Sequence, residues 1–211
     1  MARPEPEPTG VTFRMRRLLV VVSLVAATLA LATPCRAASP MQQLQQYTDR
    51  LIAILEDPRL TGPDQRLARR AAARNAAEEM FDAAEAGRRA LGIHWARLSA
   101  EEQQSFVRLF LELLERAYVT KVDLYGGQRV KYLGESVDGD HAVVRAKVLT
   151  KKGREVPADT KMVRRAERWL VYDVLVENIG LIANYRAQFD HIIRTSSYQE
   201  LVRRLEKARG E

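Results

Sequence analysis

Apolar residues recur every three to four positions in the part of the chain that follows residue 40. The first residues with this period are Leu44, Tyr47, Leu51 and Leu55. They predict one amphipathic helix over residues 40–56, which ends at Asp57-Pro58. Gly62-Pro63 opens a second helix, over about 64–80, that is rich in alanine and arginine and poor in large apolar side chains. We expect this second helix to lie at the surface, with its arginines in solvent.

A longer helix is predicted to follow Ser99, because Ser99 and Glu102 have the spacing of a capping box. This helix runs over about 100–124. Its continuous apolar face comprises Phe106, Phe110, Leu113, Leu114, Ala117 and Tyr118. Further apolar residues at positions 107, 109 and 111 widen that face, so we expect the helix to be buried from more than one side.

After Gly126-Gly127 the period of the apolar positions falls to two, as in β-strands. The alternating sets are Val130/Tyr132, Ala142/Val144/Ala146/Val148, Ala158/Thr160/Met162 and Leu170/Tyr172/Val174/Val176. Short connections of hairpin length separate them, which predicts a four-stranded antiparallel meander. The intervening positions are polar, so one face should meet water while the long helix covers the other.

Two further helices are predicted to finish the chain, over about 180–194 and 198–208. The predicted fold class is therefore α+β, with a curved four-stranded antiparallel sheet covered by a long helix and additional helices. The sequence contains neither an internal repeat nor a low-complexity tract, so we predict a single domain over residues 38–211.

Residues 1–37 are predicted to be a secretory signal peptide. Three arginines precede an apolar run from Leu18 to Ala32, which at 15 residues is shorter than the roughly 20 that a membrane-spanning helix needs. Small residues at Cys35 and Ala37 favour cleavage after Ala37, which would remove the only cysteine of the chain. This segment holds five arginines and two glutamates, so the rest has 29 basic and 25 acidic residues, a formal charge of +4. Export without cysteine is typical of a periplasmic protein.

Few residues carry recognisable chemistry. His94, His141 and His191 have no partners at the spacing of a metal site or a catalytic triad, so we expect structural roles and predict neither a metal nor a cofactor. Asp173 is expected on the outer face of its strand, as an ion-pair or hydrogen-bond anchor with Arg186 as a candidate partner. The strands lack interleaved aromatic and basic residues, which argues against a nucleic-acid partner.

The stretch over residues 169–189 has the most specific pattern, a strand that leads directly into a helix. It resembles the signature of the MlaC (toluene-tolerance) family. The residues that match the family motif include Trp169, Tyr172, Asp173, Tyr185, Arg186 and Phe189. Two positions differ, since Asn178 stands where the family usually has glycine and Gly180 where it usually has serine. Asparagine tolerates a left-handed backbone, so the turn can keep its shape. Further matches in order extend the resemblance over roughly 40–208.

This resemblance implies a cystatin-like or nuclear-transport-factor-like domain that holds acyl chains in a pocket between sheet and helices, with the headgroup outside. It implies a non-enzymatic periplasmic carrier of phospholipid. The implied partners are an outer-membrane lipoprotein complex and an inner-membrane ABC transporter with its MCE-domain protein. The lipid-binding side chains predicted here are inward-facing residues rather than parts of the family motif: Phe106, Phe110, Leu113, Tyr118, Val144, Val148, Met162, Val174 and Val176.

Other functions stay open from the sequence. Periodicity alone favours a plain packed core, so an adaptor without ligand is one alternative. A relative in the same family accompanies hopanoid biosynthesis, which makes a rigid polycyclic lipid a second alternative. A third is an enzyme in a cone-shaped α+β domain, which would need an inward acid or base. If the strand faces were assigned wrongly by one position, Asp173 would be such a group.

Overall fold

The computed structural model describes residues 38–60 and 62–209, so the predicted signal peptide lies outside the described residues. Helix α1 spans Pro40–Glu56, as predicted. The hydroxyl of Ser39 accepts a hydrogen bond from the Gln42 amide, and the Gln42 side chain accepts one from the Ser39 amide. This reciprocal cap satisfies two amide groups that the first turn leaves without helical partners.

Three more helices precede the sheet, namely α2 (Arg66–Met80), α3 (Ala83–Leu91) and α4 (Ala100–Tyr118). Short 3-10 turns occupy Pro58–Leu60, Pro63–Gln65, Gly92–Arg97 and Val119–Leu124. The capping box at Ser99 is confirmed, but α4 ends six residues earlier than predicted because its last turn tightens into the 3-10 form. Helix α3 was not predicted, because nine residues are too few to show a clear period.

The strands are β1 (Arg129–Asp138), β2 (His141–Leu149), β3 (Glu155–Arg165), β4 (Arg168–Val176) and β5 (Ile179–Gly180). They pair antiparallel in chain order, so the predicted meander is confirmed and gains a short fifth strand. Helices α5 (Leu181–Thr195) and α6 (Tyr198–Arg209) follow. The predicted α+β class is confirmed, and no helix within the described residues is long and apolar enough to cross a membrane.

A bulge in β4 changes which residues face the helices. Lys161 pairs with Asp173 and Met162 pairs with Val171, so Tyr172 is an extra residue between them. Before the bulge, Trp169 and Val171 are buried under α1, whereas the prediction had placed Leu170 and Tyr172 there; Leu170 is only partly buried, although it also packs against this cluster. The prediction was wrong for this half of the strand, because alternation cannot show an inserted residue. After the bulge, the predicted alternation is correct and Val174 packs against the same cluster as Val171.

The core consists of two clusters. One lies between α1 and the sheet and contains Leu44, Tyr47, Ala142, Val144, Met162, Trp169 and Val171. The other lies among α3, α4, α5 and α6 and is centred on Phe106, Phe110 and Phe189. Helix α1 therefore covers this face of the sheet, and α3 and α5 contact β4. The longer α4 packs mainly against other helices. Phe81, between α2 and α3, packs against both clusters.

Candidate functional site

An apolar cavity of ≈ 190 Å³ lies where the two core clusters meet. Its wall is formed by α2, the second half of α4 and the first residue of α5. The lining residues are Arg74, Ala77, Glu78, Met80, Phe81, Leu111, Leu114, Glu115, Tyr118, Val119 and Leu181. Almost all of the exposed cavity surface is apolar, although Arg74, Glu78 and Glu115 are among the lining residues. The space is partly open to solvent, so an apolar molecule could enter it.

The end of α2 is fixed to the sheet beside this cavity. Phe81 leaves the helix in an extended conformation and forms a parallel bridge with Val171 of β4. The amide of Asp82 donates a hydrogen bond of 2.7 Å to the Val171 carbonyl oxygen. Phe81 therefore packs against the sheet cluster and also lines the cavity. The cavity thus lies at the boundary between the two clusters.

The body of α2 is held more weakly than its end. It buries only two alanines, Ala73 and Ala76. Ion pairs connect it to the neighbouring elements: Arg70 with Asp123, Arg74 with Glu115, and Glu79 with Arg50. The arginines of α2 are therefore paired in part, rather than fully solvated as predicted. Small side chains at the contact surface leave space beneath the helix, which is why a cavity remains there.

A second cavity of ≈ 350 Å³ shares lining residues with the apolar one, and charged residues are among its lining. Its lining residues are Leu67, Arg70, Ala71, Arg74, Glu112, Glu115, Arg116 and Val119. Arg74, Glu115 and Val119 line both cavities. The two spaces are therefore neighbours, and their shared lining includes the ion pair of Arg74 with Glu115.

The nine predicted lipid-binding residues are not gathered in one place. Tyr118 lines the apolar cavity. Phe106 and Phe110 are almost fully buried in the helical cluster, and Leu113 packs against it. In this structure, these three side chains belong to the packed core, because they contact other side chains rather than open space.

The predicted sheet residues form a gradient of exposure. Val144 and Met162 are fully buried under α1, and Val174 packs at the edge of that cluster. Val148 is half-buried and Val176 is 48% exposed. Val176 pairs with Ile179 of β5, which is 69% exposed. One end of the apolar sheet face is thus uncovered by α1.

The aromatic residues of the motif pack the helices together. The ring of Phe189 contacts Phe106 and Phe110 at centroid distances of 5.8 and 5.5 Å, and Tyr185 contacts Phe110 at 5.3 Å. Such edge-to-face contacts stabilise a core by about 0.5–1.5 kcal/mol each beyond simple burial. Burial raises the pKa of Tyr185, and the neighbouring Tyr118 adds to the shift. Tyr185 therefore connects this aromatic group to the wall of the apolar cavity.

Asp173 acts as a cap for α5. Its buried carboxylate accepts a hydrogen bond of 3.0 Å from the Ile182 amide and lies 3.7 Å from the Lys161 ammonium group. The predicted anchor role is confirmed, but Arg186 is not the partner and lies beside Gly92 instead. The N-cap position is Gly180, which has no side chain to cap the helix. A carboxylate from the neighbouring strand supplies this bond in its place.

The turn before α5 has the backbone that the sequence indicated. Asn178 has φ 67° and Glu177 has φ 50°, both in the left-handed region. Asparagine adopts this region more readily than most residues, so Asn178 can replace the usual glycine of the family. Trp169 and Tyr172 of the motif lie on opposite faces of the sheet, with the Arg89 guanidinium 4.2 Å from the Tyr172 ring centre.

Buried charges elsewhere have structural partners. Asp82 and Glu85 are buried between α3 and the sheet, where Arg165 bonds to both. His94 is buried and lies 2.8 Å from Asp190, whose pKa this hydrogen bond holds below its usual value. No cluster of potential metal ligands occurs within the residues that the structure describes.

Sequence reasoning missed several cavity residues, including Ala77, Met80 and Leu181. Each belongs to a different local pattern, so their meeting is a tertiary feature. Leu111 gave a partial indication of the cavity, because it makes the apolar face of the long helix wider than one contact surface requires. That extra width faces the cavity.

Comparison with known proteins gives consistent results. A sequence model of the MlaC protein family matches residues 45–207. The intermembrane phospholipid transport system binding protein MlaC of Haemophilus influenzae is 20% identical over 205 residues, which cover 91% of this chain and 92% of that protein. A phospholipid-binding protein from Ralstonia solanacearum, solved with a bound phospholipid, superimposes with a TM-score of 0.70 at 25% identity. The match covers 82% of this chain and 98% of that protein.

Proposed function

Because this chain belongs to the MlaC family, we propose that it is a non-enzymatic carrier that binds the acyl chains of a phospholipid in the apolar cavity. The observation that carries the proposal is an almost wholly apolar cavity at the seam of the two core clusters. The similar protein from Ralstonia solanacearum was solved with a phospholipid, which favours this ligand over a hopanoid. The buried Asp173 caps a helix, so it offers no support for an enzyme.

The cavity is smaller than the roughly 300 Å³ at which ligand sites usually begin, so a lipid with two chains has to displace part of the wall. Helix α2 is the part of the wall that buries least. When α2 moves outward, the chains can extend from Leu114 and Tyr118 towards the uncovered end of the sheet. Val174, Val176 and Ile179 share that apolar face and would then contact the lipid.

Transport follows from the energetics of the ligand. Exposing two ordinary acyl chains to water costs on the order of 20 kcal/mol, at about 0.8 kcal/mol per methylene. Spontaneous release into water is therefore too slow, and transfer requires docking to another protein or a membrane. We assign the partners that the family resemblance implies, an outer-membrane lipoprotein complex and an inner-membrane ABC transporter with its MCE-domain protein, and a location in the periplasm.

The decisive experiment is native mass spectrometry of the purified chain from residue 38 onward, followed by organic extraction of the bound molecules. We expect a phospholipid at close to one per chain, either co-purified or taken up from vesicles after delipidation. A hopanoid in its place would change the ligand class. A folded protein that neither carries nor takes up lipid would contradict the carrier function.

A further inference from the structure

Helix α2 closes the apolar cavity with little packing of its own. It contributes Arg74, Ala77, Glu78 and Met80 to the lining. It packs against α1 and against the 3-10 turn Val119–Leu124, and its buried side chains are two alanines. Two buried methyl groups contribute little, because the hydrophobic effect scales with the apolar area removed from water. Other contacts therefore hold the body of α2 over the cavity.

Two ion pairs connect α2 to the other side of the cavity. Arg70 and Arg74 are four residues apart, so they project from the same side of α2. Arg74 pairs with Glu115 of α4, and Arg70 pairs with Asp123 of the 3-10 turn that follows α4. Arg74 and Glu115 both line the apolar cavity, so their pair joins one wall to the other. The four side chains are 24–49% exposed, so salt can screen both pairs.

The last residues of α2 are anchored in a different way. Phe81 forms its bridge with Val171 of β4, and the Arg168 side chain donates a hydrogen bond of 3.0 Å to the Glu79 carbonyl oxygen. This end of the helix is therefore fixed through its backbone. The two bridging arginines lie further from this anchor, so breaking their ion pairs frees the rest of the helix to swing outward.

We propose that the acyl chains enter through the gap between α2 and α4, and that the two bridging ion pairs are an electrostatic latch on this gap. The latch consists of the pairs Arg70–Asp123 and Arg74–Glu115. This inference rests on the proposed carrier function and adds how its site is opened and regulated. While the latch is closed, α2 retains the bound chains. When it opens, α2 swings about Phe81 and provides the space that two acyl chains need.

Ionic strength then regulates the rate of lipid exchange. The Debye length falls from roughly 30 Å at 0.01 M salt to about 3 Å at 1 M, so added salt weakens a latch made of partly exposed charges. Added salt does not make it easier to expose apolar chains to water, and sulfate makes it harder. Faster exchange at high salt is therefore the sign of a latch rather than of weaker apolar binding.

Stopped-flow fluorescence measures the exchange. The delipidated chain from residue 38 onward is mixed with a water-soluble phosphatidylcholine that carries a short fluorescent acyl chain, and the bound probe is then chased with unlabelled lipid. The probe has no net charge, so salt has little effect on its encounter with the protein. Between low and high sodium chloride we expect the uptake and release rates to rise at least about threefold, the scale of one or two partly exposed ion pairs.

Variants of Arg74 test the latch directly. Arg74→Gln should raise both rates at low salt and reduce their response to salt, because one of the two pairs is lost. Exchanging the two charges, with Arg74→Glu and Glu115→Arg together, should restore slow rates that neither single variant shows. Arg203→Gln on α6, which removes an exposed pair with Glu200, is the matched control. Rates that salt and Arg74→Gln leave unchanged, or that Arg203→Gln changes equally, would overturn the latch.

A cross-link shows whether this gap has to open. The chain from residue 38 onward contains no cysteine, so introduced cysteines react specifically. Arg74→Cys with Glu115→Cys, joined by a reductant-cleavable bis-maleimide, should slow uptake and release at least about tenfold, because a tethered lid cannot complete its motion. Dithiothreitol should restore the rates. The same double variant capped with N-ethylmaleimide carries adducts without a tether and should exchange as fast as Arg74→Gln.

Two other cross-links mark the alternatives. Lys147→Cys with Glu155→Cys joins β2 to β3 in place of an exposed ion pair and should leave both rates unchanged. Met41→Cys with Glu135→Cys joins α1 to β1, where the Met41 amide donates a hydrogen bond to the Glu135 carboxylate. If only this α1–β1 cross-link stops exchange, the chains enter between α1 and the sheet, which overturns the latch while the carrier function stands. A folded protein that takes up neither the probe nor a phospholipid would contradict the carrier function itself.

Discussion

Asp173 shows how one residue joins two elements. Asp173 is 4% exposed, and its carboxylate caps α5 from the neighbouring strand β4, because Gly180 at the cap position has no side chain. Asp173→Ala should lower the free energy of unfolding by about 1–2 kcal/mol, the scale of a lost helix cap. Urea unfolding followed by circular dichroism measures this change. Asp138→Ala, at an exposed strand end, is the control and should stay within about 0.5 kcal/mol of the wild type. Equal effects would contradict the capping role.

Glu85 gives the protein a defined dependence on acid. Burial alone would raise the pKa of Glu85, but hydrogen bonds from Arg88 and Arg89 outweigh it and lower the pKa from 4.5 to about 2. The carboxylate therefore stabilises the fold at any pH above about 4.5, and this contribution is lost as the pH falls through about 2. The difference corresponds to about 3 kcal/mol.

The variant Glu85→Gln cannot titrate, so it isolates that contribution. We expect it to be less stable than the wild type at pH 7 and to lose less stability between pH 5 and about 2. Denaturant midpoints across this pH range provide the measurement. Parallel pH profiles for the two proteins would show that Glu85 is not responsible for the acid sensitivity.

At the scale of elements, α2 is the least anchored helix around the cavity. Its buried side chains are Ala73 and Ala76, and ion pairs supply much of its remaining contact. We expect its amides to exchange hydrogen faster than those of α4, because a segment that buries little opens locally at low cost. Hydrogen-exchange mass spectrometry should show this in the lipid-free protein. Arg74→Gln should accelerate exchange in α2, whereas Arg203→Gln, which removes an exposed pair on α6, should not.

The elements also show where sequence patterns were sufficient. The period of α1 and the capping box of α4 were confirmed, because both depend on residues within one turn or one helix. The assignment of β4 residues to the two sheet faces was wrong before Tyr172, because the bulge depends on how β4 pairs with β3. Helix α1, rather than α4, packs on the sheet. The sequence did not predict this, because the apolar stripe of a helix does not show which element will cover that stripe.

At the scale of the whole molecule, the cavity depends on a small side chain under α2. Ala77 lines the apolar cavity, so Ala77→Phe would fill much of the space that the acyl chains need. We expect lipid loading well below one per chain in a protein that remains folded. Ala187→Phe is the matched control, since Ala187 is an exposed alanine of another helix, α5, outside the cavity lining. Normal loading of Ala77→Phe would place the acyl chains elsewhere.

The predicted export of the chain has its own test. When the full-length chain is expressed in a diderm bacterium, we expect an osmotic-shock fraction to contain a product with the mass of residues 38–211. The apolar run of 15 residues is too short for a stable membrane span, so a signal peptidase should remove it. A product of full mass that stays in the membrane fraction would contradict the prediction.

The sequence by itself determined five of the six α-helices in the described residues, the meander and the family. These follow from periods of 3.6 and 2 and from a motif that is continuous along the chain. The tertiary structure alone decided the bulge at Tyr172, the cap from Asp173 to α5 and the cavity between α2 and α4. Each of these features requires residues from separate elements to meet. Ala77, Leu111 and Leu181 form one wall only after both core clusters have packed. A local sequence pattern shows the period of its own segment, but it does not show how far that segment lies from another one.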